Sequence, residues 1–181
     1  SCGQTTNGPA LDPIAFQGQV LTPSNVTGFA LHFDFYSSDF PAFVCSAFDD
    51  QFIGLINPFP SNLVDESFIF NGLDEIFSLN GSIFGVCECP NASCTGGSKT
   101  FQCSQGTARL LGNGFGDDVA NANQGATGWQ RTTVPVEPNS SFDIRFAIYD
   151  MGDATLAATA IIDNWTWLHD PNVVAETLPD P

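Results

Sequence analysis

Hydrophobic and polar residues alternate most clearly near the end of the chain. From residue 142 to residue 148 every second position is Phe or Ile, and the positions between them are Asp, Arg and Ala. A period of two is typical of a strand with one buried face. A turn over residues 150–153 follows, in which Gly152 is free to adopt the positive φ that such turns often need. Residues 159–168 have few polar breaks, which predicts a second strand, covered on both faces and paired with the first at the centre of a β-sandwich.

Earlier segments show the same period. Residues 27–37 place Phe and Leu on one face, whereas His32 and Asp34 belong to a face that we expect to be polar and to point outward. Further strands are predicted over residues 13–21, 51–57, 67–71, 75–86 and 128–136. Asn-Gly dipeptides at 71–72 and 80–81 are strong tight-turn signals. About eight to ten short strands with long loops and no internal repeat predict an all-β fold of the β-sandwich or jelly-roll class.

The length of 181 residues fits one domain. We divide the chain into an extended N-terminal segment (1–12), a single β-sandwich domain (13–168) and an acidic, proline-containing C-terminal tail (169–181). We interpret the tail as a linker, or as an arm that pairs with another partner. Phenylalanine alone numbers 17, so a large core is expected.

The charge is one-sided, with 20 acidic against 4 basic residues and a net charge of −16. Such a chain repels nucleic acid and anionic membranes. Most of the acids are Asp, which favours turns and oxygen-rich cation sites over helices.

We therefore predict a calcium site at the turn over residues 150–153, because Ca²⁺ takes about six to eight oxygen ligands and the turn has a carboxylate at each end. The predicted ligands are Asp150, Asp153 and Asp163, joined by Asp49 and Asp50 from a loop. The alternative for Asp163 is that it accepts hydrogen bonds from backbone amides or pairs with an arginine, Arg131 or Arg145.

Six cysteines and a single methionine favour an oxidising compartment outside the cell. We expect disulfides that staple the loops, formed by Cys2, Cys45, Cys87, Cys89, Cys94 and Cys103. Cys87 and Cys89 are too close to bridge each other, and the sequence does not choose among the remaining pairings. A zinc site is the alternative, but the spacing fits no common zinc module and no histidine lies nearby.

The chain has no starting Met, no signal-like N-terminus and no apolar run long enough to span a membrane. We expect a mature, extracellular or surface-displayed protein that does not span a membrane. Sequons make four asparagines candidates for glycosylation, namely Asn25, Asn80, Asn91 and Asn139. The sequon at Asn164 is left out because it lies inside an apolar strand.

Four segments together resemble a known family. They are FDFYSSDFPAFVCSAFDDQF, SLNGSIFGVC, GATGWQRTTVPVEPNSSFDIRFAIYDMGDA and AIIDNWTW. In this order, from about residue 27 to residue 168, they resemble the choice-of-anchor L family of bacterial secreted and surface proteins. The resemblance implies a β-sandwich module displayed outside the cell, without established enzymatic activity. The chain departs from the family at residues 157–159, Ala-Ala-Thr, where related modules tend to have an Asp-Ser pair, and this departure weakens the calcium prediction.

Catalysis is not expected, because only His32 and His169 are suited to act as general bases near neutral pH and no catalytic motif is present. We predict a non-catalytic structural or adhesive module, a self-assembling subunit of a surface fibre or matrix whose extended termini add a strand to a neighbouring sheet. Its partners are other copies of itself or matrix components. The alternative is a carbohydrate-binding, lectin-like module that stacks sugar rings on Trp129, Trp165 or Trp167, although the last two tryptophans also fit the core.

Overall fold

A computed structural model describes residues 2, 9–60, 67–72, 75–81, 84–88, 94–96, 99–115 and 124–180. Strands dominate this part of the chain, and its one helical element is the 3-10 turn Ala108–Leu110. The strands are β1 Ala10–Leu21, β2 Gly28–Ser37, β3 Gln51–Asn57, β4 Phe77–Ser78, β5 Val86–Cys87, β6 Cys94–Gly96, β7 Lys99–Phe101, β8 Gly125–Ala126, β9 Gln130–Pro135, β10 Ser141–Met151, β11 Ala158–Leu168 and β12 Glu176–Pro179. The predicted all-β class is confirmed.

Two antiparallel sheets form the sandwich. The first has the order β1-β10-β3-β4. In the second, β2 pairs with β11 on one side and with β9 and then β8 on the other, and the sheet continues from β9 to β12 and from β8 to β5. A separate hairpin joins β6 to β7.

The core lies between the inner faces of these sheets and consists largely of phenylalanine. Phe29 of β2 stacks on Phe142 of β10 with ring centroids 5.5 Å apart, and Phe33 lies 5.4 Å from Phe52 of β3. The hydrophobic residues at every second position of β2 and β10 belong to this core, as the alternation in the sequence predicts: Phe29, Leu31, Phe33 and Phe35 of β2, and Phe142, Ile144 and Phe146 of β10.

The predicted pairing of the last two long strands is wrong. β10 lies between β1 and β3 in the first sheet, whereas β11 pairs with β2 in the second. The connection between them, which includes Gly152 at φ 101°, therefore crosses from one sheet to the other. β11 is also an edge strand with mostly exposed side chains, and not a strand covered on both faces. An apolar run does not by itself distinguish a central strand from an edge strand.

Both ends of the chain are attached to the sandwich. Cys2 forms a disulfide with Cys45, and β1 begins at Ala10, before the predicted end of the N-terminal segment. The C-terminal tail is not a free arm, because β12 pairs with β9 of the same chain. The tail is further held by the hydroxyl of Thr177, which donates a hydrogen bond to the hydroxyl of Thr132 at 3.0 Å.

The second disulfide joins Cys87 to Cys103, so Cys87 bridges away from its neighbour as predicted. Cys89 and the side chain of Cys94 lie outside the described residues, and their pairing stays a prediction. Within the described ranges, no helix is both long enough and apolar enough to cross a membrane.

Candidate functional site

Five aspartates gather where the loop after β2 meets the end of β10. We call them the carboxylate cluster: Asp39, Asp49, Asp50, Asp150 and Asp153. Three of them are almost completely buried, with exposed fractions of 5% for Asp39, 0% for Asp49 and 1% for Asp50. The backbone N–H of Asp49 donates to the carbonyl of Met151 at 3.1 Å, which fixes this loop beside the end of β10.

Asp50 and Asp150 form a hydrogen-bonded carboxyl pair. Burial, together with the neighbouring carboxylates of Asp39 and Asp150, raises the pKa of Asp50 to about 8. The Ser37 hydroxyl opposes this rise by donating to Asp50 Oδ2 at 2.5 Å. Burial also raises the pKa of Asp150, while the hydrogen bond from Asp50 lowers it. The pair therefore holds a proton near neutral pH, with Asp50 as the donor.

Asp39 faces other carboxylates. Burial, together with the charges of Asp153, Asp150 and Asp49, raises the pKa of its carboxyl group to about 6. The backbone N–H of Asp39 donates to Ser37 Oγ at 3.1 Å, but its carboxylate accepts no hydrogen bond from any described residue. An uncompensated buried charge is costly, so this group favours either a proton or a cation.

Asp49 is hydrogen-bonded within the fold. Its Oδ1 accepts from the backbone N–H of Asn80 at 2.9 Å, and its Oδ2 accepts from Gln51 Nε2 at 3.1 Å. These contacts tie the loop to the segment after β4, which gives Asp49 a structural role.

The cluster contains four of the five predicted calcium ligands and also Asp39, which the sequence analysis missed. Asp163 is a wrong prediction, because it is exposed on β11 in the other sheet and accepts a hydrogen bond from the backbone N–H of Asn164 at 2.7 Å. That contact matches the backbone-amide alternative. In the described residues, no three His, Cys, Asp or Glu side chains are arranged to hold a metal ion.

Only one feature of the sequence points to Asp39 as a member of the cluster, namely its position just after the alternating β2 segment.

A second group of polar residues lines a shallow depression of about 390 Å³ on the outer face of the second sheet. We call it the polar depression, and it is lined by His32, Trp129, Asp163, Asn164 and Asp180. His32 Nδ1 lies 2.9 Å from Asp180 Oδ2, and His32 Nε2 lies 3.3 Å from Asn164 Nδ2. His32 thus lies on the polar outer face that the alternation predicts.

Asp34 departs from the same prediction because it is completely buried. The Tyr36 hydroxyl donates to Asp34 Oδ2 at 3.1 Å, and the Thr127 hydroxyl donates to Oδ1 at 3.3 Å. Arg109, from the 3-10 turn, lies 3.8 Å away. Burial raises the pKa of Asp34, and these partners oppose that rise. A small second core that includes Tyr36 and Leu110 covers this end of the outer face, and the local alternation does not predict such a cover.

The three candidate tryptophans have different environments. Trp165 stacks on Phe29 with ring centroids 4.2 Å apart and an interplanar angle of 13°, and Trp167 packs against the same core. The core alternative thus describes Trp167, whereas Trp165 stacks on the core with one face and remains 38% exposed. Trp129 lies beside polar groups.

The four glycosylation candidates differ in their exposure to solvent. Asn25 and Asn139 are exposed, and Asn91 lies outside the described residues. Asn80 is a wrong candidate, because it is buried and its amide donates to the carbonyl of Ser46 at 3.2 Å and accepts from the N–H of Cys45 at 2.6 Å.

β1 leaves a long apolar edge uncovered. It pairs with β10 on one side, and no described strand pairs with its other side. Phe16 lies opposite Phe146 and Ile14 lies opposite Ile148, so both point to the core-facing side of the sheet. Nevertheless Ile14 is 72% exposed and Phe16 is 69% exposed.

Comparison with protein-family models, with curated protein sequences and with solved structures gives no match. The resemblance to the choice-of-anchor L family therefore stays a prediction.

Proposed function

We propose that this chain is a non-catalytic, extracellular structural module that associates with copies of itself through the β1 edge. Its two disulfides favour an oxidising environment outside the cell. Its histidines are engaged in local contacts, His32 with Asp180 and His169 with the carbonyl of Asn25. None of the described residues that line the polar depression beside His32 has a hydroxyl or thiol side chain, so they offer that histidine no such nucleophile to activate.

The observation that carries the proposal is the exposed sheet edge formed by residues 14–21 of β1. Natural edge strands usually avoid pairing with other chains by means of charges, prolines or bulges. β1 has these features only at its start, where Asp12, Pro13 and a bulge lie between Leu11 and Ile14. Residues 14–21 continue in regular register and contain no ionisable side chain. No described strand pairs with the outer backbone groups of this segment, which lie beside two exposed, core-facing hydrophobic side chains.

A second copy is the proposed occupant, because residues 14–21 are the part of the surface where two copies can meet without adding charge. With a net charge of −16, two copies repel each other over most of their surfaces, whereas residues 14–21 add no charge to the contact. The long edge of the other sheet, β11, is less suited because a bulge between Asp163 and Thr166 interrupts its register. Antiparallel pairing of β1 with β1 makes one continuous sheet and places Ile14 and Phe16 of both copies on the same side. Such a pair is closed, so a fibre would require a further contact.

We expect the unmodified protein to form a dimer at high micromolar concentration and Phe16→Lys to remain a monomer. The lysine adds charge to the edge and removes an exposed aromatic ring from the contact. Sedimentation velocity over a dilution series measures the change. Leu111→Lys is the matched control, since Leu111 is 66% exposed in a loop away from β1 and its substitution should leave the dimer intact. A monomer at every concentration for the unmodified chain, or a dimer that survives Phe16→Lys, would contradict the proposal.

Calcium binding at the carboxylate cluster is a further part of the proposed function. Asp39 has no hydrogen-bond partner for its carboxylate among the described residues, and it lies beside acids. Because the described carboxylates are not arranged around an ion, binding requires Asp39 and Asp50 to lose their protons and the side chains to close on the cation.

We expect millimolar Ca²⁺ to raise the melting temperature of chelator-treated protein at about pH 8, where the protons of the cluster leave most easily. The effect should be smaller at about pH 5, where protons occupy the same oxygens. Differential scanning fluorimetry measures both values, and Asp39→Asn should reduce the rise. If the melting temperature does not respond to Ca²⁺ at either pH, the cluster binds only protons.

A further inference from the structure

The polar depression is built by residues from four separate parts of the second sheet. His32 belongs to β2, Asp163 and Asn164 belong to β11, Trp129 precedes β9, and Asp180 follows β12. Asp163 lies directly opposite His32 in the register, so their side chains share the outer face. The backbone N–H of Asp180 donates to the carbonyl of Trp129 at 2.9 Å, which holds the C-terminal side of the depression in place.

A bulge in β11 shapes this surface. The register shifts between Asp163 and Thr166, and Asn164 has a φ of 53°, which is uncommon for a residue other than glycine. Asn164 points to His32 as a result, with its Nδ2 atom 3.3 Å from Nε2 of the imidazole. Bulges often redirect a side chain at the edge of a sheet, and here the redirected amide lies on the outer face beside a carboxylate.

The depression offers several hydrogen-bond acceptors beside one aromatic ring. Oδ2 of Asp180 contacts Nδ1 of His32, and Oδ1 of Asp163 accepts a hydrogen bond from the backbone N–H of Asn164. The second carboxylate oxygens of Asp163 and Asp180, and Oδ1 of Asn164, have no hydrogen-bond partner among the described residues. Trp129 is half-buried, so its ring is held by the fold while part of it remains accessible.

We propose that the polar depression binds a neutral saccharide. A sugar ring offers hydroxyl donors to carboxylate and amide oxygens, and its C–H face packs on an indole ring. The volume of about 390 Å³ is within the usual range for small-ligand sites. A neutral sugar is favoured over a sialylated or uronic one, because two carboxylates line the site and the chain carries a net charge of −16. The site is on the outer face of the second sheet, so it does not depend on pairing through β1.

A glycan array covering neutral, sialylated and uronic saccharides tests the proposal, followed by titration calorimetry on the strongest neutral hit. We expect Trp129→Ala to weaken binding roughly tenfold or more, since it removes the stacking face. Phe16→Ala is the matched control, because Phe16 is an exposed aromatic residue of β1 in the other sheet, and it should retain the affinity of the unmodified protein. Asp180→Asn should also weaken binding by removing a carboxylate acceptor with little change in shape.

Far-ultraviolet circular dichroism and melting curves identify any variant that fails to fold, and Asp180→Asn then serves in place of Trp129→Ala. Binding of a neutral saccharide that Trp129→Ala and Asp180→Asn both lose and Phe16→Ala retains supports the assignment. If no neutral saccharide binds the unmodified protein, or if binding survives both substitutions, the proposal is overturned. The oligomeric state of each variant, measured in the same samples, separates this result from the outcome for the β1 edge.

Discussion

At about pH 8 the variant Asp50→Asn is expected to melt higher than the unmodified protein, by about 5–10 °C. Asp50 is 1% exposed, and its pKa in the fold is raised to about 8, so near this pH the buried group begins to lose its proton. Asparagine has nearly the same shape as a protonated aspartate and carries no charge at any pH. Its amide retains a donor for Asp150 and an acceptor for the Ser37 hydroxyl, so the local hydrogen bonds are preserved.

The direction of the pH dependence follows from the raised pKa values. In the unfolded chain an aspartate loses its proton near pH 4, whereas in the fold Asp39 retains it to about 6 and Asp50 to about 8. Between about pH 4 and about pH 8 the folded state therefore binds more protons than the unfolded state. The free energy of unfolding consequently falls as the pH rises through this range. The unmodified protein should therefore melt lower at about pH 8 than at about pH 5, by an amount on the order of a few kcal/mol in stability.

Melting curves of both proteins over this pH range measure the effect. The advantage of Asp50→Asn should shrink by more than half at about pH 5, because there the native carboxyl group is already protonated. Asp163→Asn is the matched control, since it removes an exposed carboxylate outside the cluster and should follow the unmodified protein. If the melting temperatures of Asp50→Asn and of the unmodified protein change equally with pH, the proton on Asp50 does not determine the pH dependence of stability between about pH 5 and pH 8.

The parts of the fold that the sequence predicts are those encoded locally. The alternation in β2 and β10 identifies both strands and the side chains that fill the core, because strand periodicity depends only on neighbouring residues. The oxidising environment implied by the cysteines likewise agrees with the two disulfides. The turn glycine, Gly152, has the positive φ that the sequence suggests, and a side chain there would meet the carbonyl oxygen of Ala47 at 2.5 Å.

The failed predictions concern contacts between distant parts of the chain. The sequence places Asp163 beside Asp150 only if β10 and β11 are neighbours, and the structure places these strands in different sheets. Asp39 joins the carboxylate cluster through the folding of a loop that has no periodic pattern. The C-terminal tail is rich in proline and acids, yet four of its residues complete the second sheet as β12. Each of these outcomes depends on tertiary pairing, which local patterns do not encode.

Two phenylalanines that both point to the core-facing side should respond very differently to truncation. Phe29→Ala is expected to cost about 3–5 kcal/mol in the free energy of unfolding. Phe29 is completely buried, and its ring contacts Phe68, Phe142 and Trp165, so its loss leaves a cavity between the two sheets.

Phe16→Ala is the matched control, and in dilute solution it should cost less than about 1 kcal/mol, because the ring of Phe16 is 69% exposed and its removal leaves no cavity. Urea unfolding followed by tryptophan fluorescence, at a concentration where the protein is a monomer, measures both values. A comparable cost for the two substitutions would show that the β1 side of the sandwich is covered in solution. That result would contradict the exposed edge on which self-association depends, because a covered Phe16 is not available to a second copy.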